Sequence, residues 1–195
     1  MIRKLINSDK YQTAKLHQLC MADDFLPSFG LPFLTKLHGY MIDSTDTVCL
    51  ASFDKNILEG FIIGSFNTRK MMRQILAHHF LKLAPYLITK VLINPPTIIL
   101  LVQTLFYGKQ RESGPPAELI IICVSEPYRH QHIGTKLIAK LQKKFKELDV
   151  CRFKVGTLKM NTAANSMYKK FGGQYIYTFK MYNSDWNVYY IKFSE

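Results

Sequence analysis

The chain has 195 residues, 48% of them hydrophobic and 13% aromatic, a balance that excludes intrinsic disorder and is enough for one domain to bury its own core. Its 26 Lys and Arg against 14 Asp and Glu leave a net charge of +12, which favours an anionic partner: a phosphorylated cofactor, nucleic acid or an anionic membrane. Cys20, Cys49, Cys123 and Cys151 form no C-x-x-C and fit neither a zinc set nor a disulfide framework, so they read as reduced thiols of a cytoplasmic protein.

The opening stretch, MIRKLINSDKYQTAKLHQLC, alternates charged and apolar residues and has no signal-peptide core. No unbroken apolar run approaches the roughly 20 residues of a membrane-spanning helix. IRKLIN reads as a short strand. YQTAKLHQLCM and PFLTKLHGYMI read as helices, separated by the Pro- and Gly-bearing loop DDFLPSFGLP. TVCLASF and LEGFIIGSF are strands of a hairpin around DKN. Residues 69–111 form a long insert. AELIIICV is a buried strand by its continuous apolar run. Ile133, Leu137, Ile138, Leu141, Phe145 and Leu148 then recur at helical spacing, with lysines on the other faces. RFKVGTL is a strand. NTAANSMYKKFGG is a helix capped by Asn161 and stopped by Gly172. QYIYTFKMY and NVYYIKF close the chain as a hairpin around NSDW. The order is β-α-α-β-β, insert, β-α-β-α-β-β, an α/β arrangement. Its strand–helix–strand unit at 117–158 requires a parallel pair in a mixed sheet.

The segment YRHQHIGTKLIAKL places Arg129, His130 and His132 at the entrance of a helix whose unpaired N–H groups already favour an anion. Consecutive N–H groups from Gln131 to Thr135 could cradle a pyrophosphate, with Gly134 offering close backbone approach. A Walker loop needs two glycines and a Lys at set spacing, and a dinucleotide fingerprint needs three glycines; neither is present.

Residues 117–173 resemble the core of the GNAT superfamily of N-acetyltransferases. Val124, Arg129, Ile133 and Gly134 fit its cofactor loop, with His132 where the first loop glycine is usual. Asn161, Ala164, Tyr168, Phe171 and Gly172 fit its second block, with Gly173 where Phe is usual. The resemblance extends over nearly the whole chain apart from 69–111. It implies one domain over 1–195 with the GNAT acyl-CoA N-acyltransferase fold: a central mixed sheet flanked by helices, carrying an extra helical hairpin at 69–111.

The resemblance also implies acetyl-CoA as co-substrate, no metal, and direct attack of a primary amine within a ternary complex. Cys123 and Val124 would offer backbone groups to the pantetheine arm and the acetyl carbonyl. Arg129, His130, Gln131, His132, Ile133, Gly134 and Thr135 would hold the pyrophosphate, and Asn161 would cap its helix and touch the cofactor. Tyr168 would be the general acid for the departing thiolate, against the plainer reading of a core tyrosine on an amphipathic face. Glu118 stands where several members carry the base, against the plainer reading of a polar residue at a strand start. Phe25 and Phe29, with Tyr40, make the acceptor side aromatic, although aromatics there equally serve packing.

Two readings from other classes stand beside the enzyme: a CoA-binding module without turnover, and a basic protein of nucleic-acid or membrane surfaces. The acceptor stays open among amino sugars, peptide N-termini, lysines and small polyamines. No acidic cluster suits a strongly cationic acceptor. A helical insert before the motif strand resembles GNAT members of surface-sugar modification, which favours an amino sugar. The insert carries seven Lys or Arg and no Asp or Glu. Its Met72, Ile75, Leu76, Phe80 and Leu83 share one helical face, and a second apolar stretch follows the break at Pro95-Pro96. A packed or dimerising hairpin is one expectation. An interfacial element resting on the inner face of an anionic membrane is the other.

Overall fold

The computed structural model describes residues 1–106 and 114–193. The last five residues of the expected insert, 107–111, therefore lie outside the described residues. In chain order the elements are β1 (Ile2–Lys4), α1 (Lys10–Cys20), α2 (Leu31–Asp43), β2 (Thr47–Asp54), β3 (Ile57–Ser65), α3 (Thr68–Ile93), α4 (Thr97–Phe106), β4 (Glu118–Val124), α5 (Ile133–Lys146), β5 (Arg152–Leu158), α6 (Thr162–Lys170), β6 (Gly173–Met181) and β7 (Ser184–Lys192). The strands form a seven-stranded sheet in the order β1-β2-β3-β4-β5-β7-β6. Every neighbouring pair is antiparallel except β4 and β5.

Strand alternation divides the core in two. Ala51, Phe61, Ile63, Ile121 and Cys123 face one layer, built with Ala14, Phe33, Leu34, Leu37 and Met41 of the first two helices. Leu50, Ile62, Phe153, Val155 and Tyr189 face the other, against Leu137, Ile138, Leu141 and Phe145 of α5 and Tyr168 of α6. Pairing Leu50 with Ala51, and Ile62 with Ile63, on opposite faces is what makes β2 and β3 read as continuous apolar runs rather than alternating ones.

Two expectations need correction. The closing hairpin does not turn at 183–186: its turn is Tyr182-Asn183, both with positive φ (53° and 60°), while Ser184, Asp185 and Trp186 pair with Met181, Lys180 and Phe179. A two-residue turn with left-handed backbone matches the twist of the flanking strands, and Asn tolerates that conformation. On α3 the buried side chains are Met71, Ile75 and Leu83, whereas Phe80 is exposed. The helix is apolar on nearly every side, so its periodicity could not choose a face; packing against α2 chose it. The break at Pro95-Pro96 separates α3 from α4, and Pro85 is carried inside α3.

Candidate active site

The site begins with a fault in the sheet. Ile63 of β3 pairs with Ile121, but the next residue, Gly64, pairs with Leu119, so Ile120 is an extra residue in β4. Such a bulge bends its strand and increases the local twist. On its other edge β4 pairs with β5 only at Glu118–Lys154 and Leu119–Val155. β5 itself stays in register with β7 over all of Arg152–Leu158. The two parallel strands therefore diverge as a V. Glu118 and Lys154 lie at its apex, and the edge of β4 from Ile120 to Val124 faces no β5 partner among the described residues.

At the mouth of the V the chain turns through Glu126–Tyr128 into α5. Ile133 is buried and anchors the helix start. The first intrahelical bond is donated by Lys136 to His132 at 2.9 Å. The N–H groups of Ile133, Gly134 and Thr135 thus point out of the helix end without an intrahelical acceptor. Arg129, His130, Gln131, His132 and Thr135 are exposed around them. Gln131 braces the turn by donating from Nε2 to the Pro127 carbonyl at 3.0 Å. His130 and His132 both hold positive φ (62° and 60°). His132 thus keeps the left-handed backbone of the loop glycine it replaces, at a conformational cost of about 1 kcal/mol.

Gly134 sits at the start of the helix, and its Cα faces packed side chains. A methyl group placed there would lie 3.6 Å from Met167 Sδ and 3.8 Å from Val124 Cγ2. It points into the packing of α5 on β4 and α6 at ordinary contact distances, so a methyl fits there and a larger side chain would not. Gly173 is required outright: a Cβ there would come within 2.6 Å of the Tyr168 carbonyl oxygen.

Tyr168 is buried on α6, and burial, with Cys123 beside it adding to the effect, raises its phenol well above the usual range. It stays protonated at any working pH. One turn earlier, Asn165 holds α6 in place. Its Nδ2 donates to the carbonyls of Leu158 and Asn161, and its Oδ1 accepts from Asn187 Nδ2 at 2.9 Å and the Tyr189 hydroxyl at 2.8 Å. Asn161 caps the helix, accepting from the Ala164 N–H at 3.0 Å.

Cys20, from the end of α1, reaches the mouth of the V, where its thiol and the Arg129 Nε approach the Val124 carbonyl at 3.5 and 3.4 Å. The Cys123 thiol and then Arg129 lower the Cys20 thiol to about 7, against the opposing effect of burial. Burial first, then Cys20, pushes Cys123 up. Asp24, in the loop after α1, is half-buried. Burial and the neighbouring Asp23 raise its carboxyl, and its charge is felt at Cys123 and Tyr182. Phe25 and Phe29 are core residues here: Phe25 stacks on Tyr182 at 4.7 Å and meets Phe29 edge-on at 5.1 Å. Tyr40 stacks on His79 of α3 at 3.6 Å. Tyr182 is fixed to α4 through its hydroxyl, 2.7 Å from Thr104 Oγ1, and its N–H, 3.1 Å from Gln103 Oε1. The loop after α1, the final turn and the α3–α4 hairpin thus form one wall beside the V.

A splayed parallel pair feeding a helix N-terminus is what the cofactor of the sequence resemblance requires: an unpaired strand edge for an extended arm, and free N–H groups for a pyrophosphate. Residues 93–173 match the family model described as Acetyltransferase (GNAT) family. Over this stretch the chain is similar to the GNAT family. The fold agrees along the whole chain. The structure of a ribosomal-protein-alanine N-acetyltransferase from Brucella melitensis superposes with a TM-score of 0.66 at 13% identity, covering 99% of both chains. An N-acetyltransferase from Staphylococcus aureus Mu50 gives 0.62 at 18% identity, over 98% of this chain and 100% of that one. The paia N-acetyltransferase from Thermoplasma acidophilum, solved in complex with coenzyme A, gives 0.59 at 16% identity, over 99% and 98%. No curated sequence relative matches the chain.

Four residues at this candidate site lie outside the motif blocks and were missed by sequence reasoning: Cys20, Asp24, Asn165 and Tyr182. Asp24 carried a faint signal as one of two adjacent acids in a loop. Cys20 carried none, because its meeting with Val124 spans 104 residues.

Proposed function

We propose that this protein transfers an acetyl group from acetyl-CoA to a primary amine, by direct attack while both are bound. The observation that carries the reading is the divergence of β4 from β5 after two paired residues, directly ahead of the three free N–H groups of α5. Acetyl-CoA supplies a thioester already activated toward amines. The N–H groups of Ile133, Gly134 and Thr135, with Arg129, His130, Gln131 and His132 around them, take the pyrophosphate. The open edge of Cys123 and Val124 orients the pantetheine arm and polarises the carbonyl. Tyr168, kept neutral by burial, gives its proton to the departing sulfur.

Glu118, at the apex of the V, takes the proton of the amine directly or through a water. Asp24 is a second carboxylate, and burial, with Asp23 beside it, raises its pKa and so its basicity. Holding amine and thioester together supplies much of the rate gain. The acceptor enters beside the Phe25–Tyr182 wall, and an amino sugar, whose amine is flanked by hydroxyls, matches a wall lined by Thr104, Gln103 and the Tyr182 hydroxyl. The test incubates the purified protein with acetyl-CoA and a panel of amino sugars, peptides and polyamines, and follows N-acetyl products by mass spectrometry. Product from any amine supports the reading. Tight CoA binding with no product across the panel would leave a binding module.

A further inference from the structure

The outer side of the α3–α4 hairpin is apolar where a helix lying on a domain should be polar. α3 buries Met71, Ile75 and Leu83, yet on its far side Leu81, Pro85, Ile88 and Leu92 recur at spacings of four, three and four, one continuous stripe. Leu81 is 85% exposed, Ile88 58% and Leu92 76%. α4 repeats the pattern. Leu100 and Leu101 pack against the core, while Ile98, Ile99 and Val102 face outward. Exposed apolar side chains recurring along both helices mark something that covers them.

Charge selects the cover. No acidic residue occurs from Gly60 to Arg111. Lys82 is exposed beside the stripe, and Arg69 and Arg73 are exposed in the first turns of the same helix. A second copy of this chain would set one acid-free basic hairpin against another, like charge against like, which disfavours that pairing. No helix among the described residues is long and apolar enough to cross a membrane. An element that is oily along one side, basic in charge and not apolar enough to span fits the interface of a bilayer, where the apolar side enters the acyl boundary and the basic groups meet anionic headgroups.

We infer that the α3–α4 hairpin docks this protein on an anionic lipid surface, inserting Leu81, Ile88 and Leu92 of α3 together with Ile98, Ile99 and Val102 of α4. Because Gln103 and Thr104 of the same hairpin hold Tyr182 at the wall of the V, docking sets the acceptor side of the site close to the membrane.

The test uses the full chain with vesicles of phosphatidylcholine alone or mixed with phosphatidylglycerol, separated by flotation at low salt. The wild type should float with the anionic vesicles, stay behind with the neutral ones, and be released in part by salt. The charge-neutral triple variant L81Q/I88Q/L92Q changes only exposed positions, and circular dichroism should show its fold intact. Its partitioning should fall roughly tenfold or more. Absence of flotation overturns the inference. So does equal binding by the triple variant, which would assign the effect to the bulk charge of +12. A concentration-dependent dimer that the triple variant dissolves, without vesicle binding, would give the surface to a second copy instead.

Discussion

Glu118 of β4 and Lys154 of β5 stand opposite each other in register, and the Lys154 Nζ lies 3.4 Å from the Glu118 Oε2 at the apex of the V. Both side chains are nearly buried, at 7% and 11% exposure, so the pair serves structure whatever else Glu118 does. Glu118→Gln should cost on the order of a few kcal/mol of stability, because it removes the carboxylate that faces a nearly buried ammonium. If Glu118 is also the base, kcat should fall on the order of a hundredfold in the folded variant. The double variant E118Q/K154M separates the roles: stability should return while kcat stays low. Recovery of both would make Glu118 purely structural and move the base to Asp24, whose Asp24→Asn variant should then abolish the acidic limb of the pH–rate profile.

Tyr168→Phe should lower kcat about ten- to a thousandfold and leave acetyl-CoA affinity nearly unchanged, since the hydroxyl is needed as the thiolate departs. Isothermal calorimetry and steady-state kinetics on the same preparation check both halves. Wild-type kcat would reduce the residue to its packing against Cys123 and Tyr189.

Cys20 should react with iodoacetamide more readily than an ordinary thiol, with a half-maximal rate near the pH of about 7 to which Cys123 and Arg129 bring it. Acetyl-CoA should slow that reaction by filling the V beside the Val124 carbonyl. Peptide mapping by mass spectrometry distinguishes Cys20 from the exposed Cys151. A rate at Cys20 indifferent to acetyl-CoA would place the cofactor elsewhere.

His17 and His38 give the fold a predictable acid limit. His17 Nδ1 is 3.0 Å from His38 Nε2, His38 Nδ1 is 3.0 Å from Thr13 Oγ1, and the Thr13 hydroxyl is directed at the carbonyls of Asp9 and Lys10. The donors run in one direction only if both rings are neutral. Burial lowers His17 to about 4 and His38 to about 3, with the charge of His17 adding to the effect at His38. Between these values and the ordinary 6.5 the unfolded chain binds protons that the folded one refuses. The stability is therefore complete above about 6.5 and lost as pH falls, by on the order of a few kcal/mol at pH 4. Urea midpoints measured across this range should slope down toward acid; a flat profile would contradict the buried neutral pair.

Gly134→Ala should fold and bind acetyl-CoA nearly normally, because the added methyl meets only ordinary contacts at 3.6 to 3.9 Å. Gly134→Val should destabilise by about 1–3 kcal/mol through overpacking against Met167 and Ile122. His132→Gly should stabilise the loop by up to about 1 kcal/mol, since it removes a side chain from left-handed backbone. Thermal melts decide all three.

Much of this protein is set by local sequence. Asn161 and Gly172 bound α6 because a cap and a left-handed stop act within four residues, and Ile133 to Phe145 form α5 because one apolar stripe fixes one face. The two motif blocks, around Gly134 and Tyr168, are local for the same reason, and by themselves they point to the cofactor loop and the acid. Tertiary structure decided the rest, because it depends on partners far along the chain. The bulge at Ile120 exists only relative to Ile63 and Gly64, and the V only because β5 follows β7 while β4 follows β3. The meeting of Cys20, Asp24 and Tyr182 with the mouth of that V joins segments from both ends of the chain. On α3, apolar around nearly its whole circumference, no sequence pattern could choose between two oily faces; contact with α2 buried Met71 and Ile75 and left Leu81 and Leu92 outside.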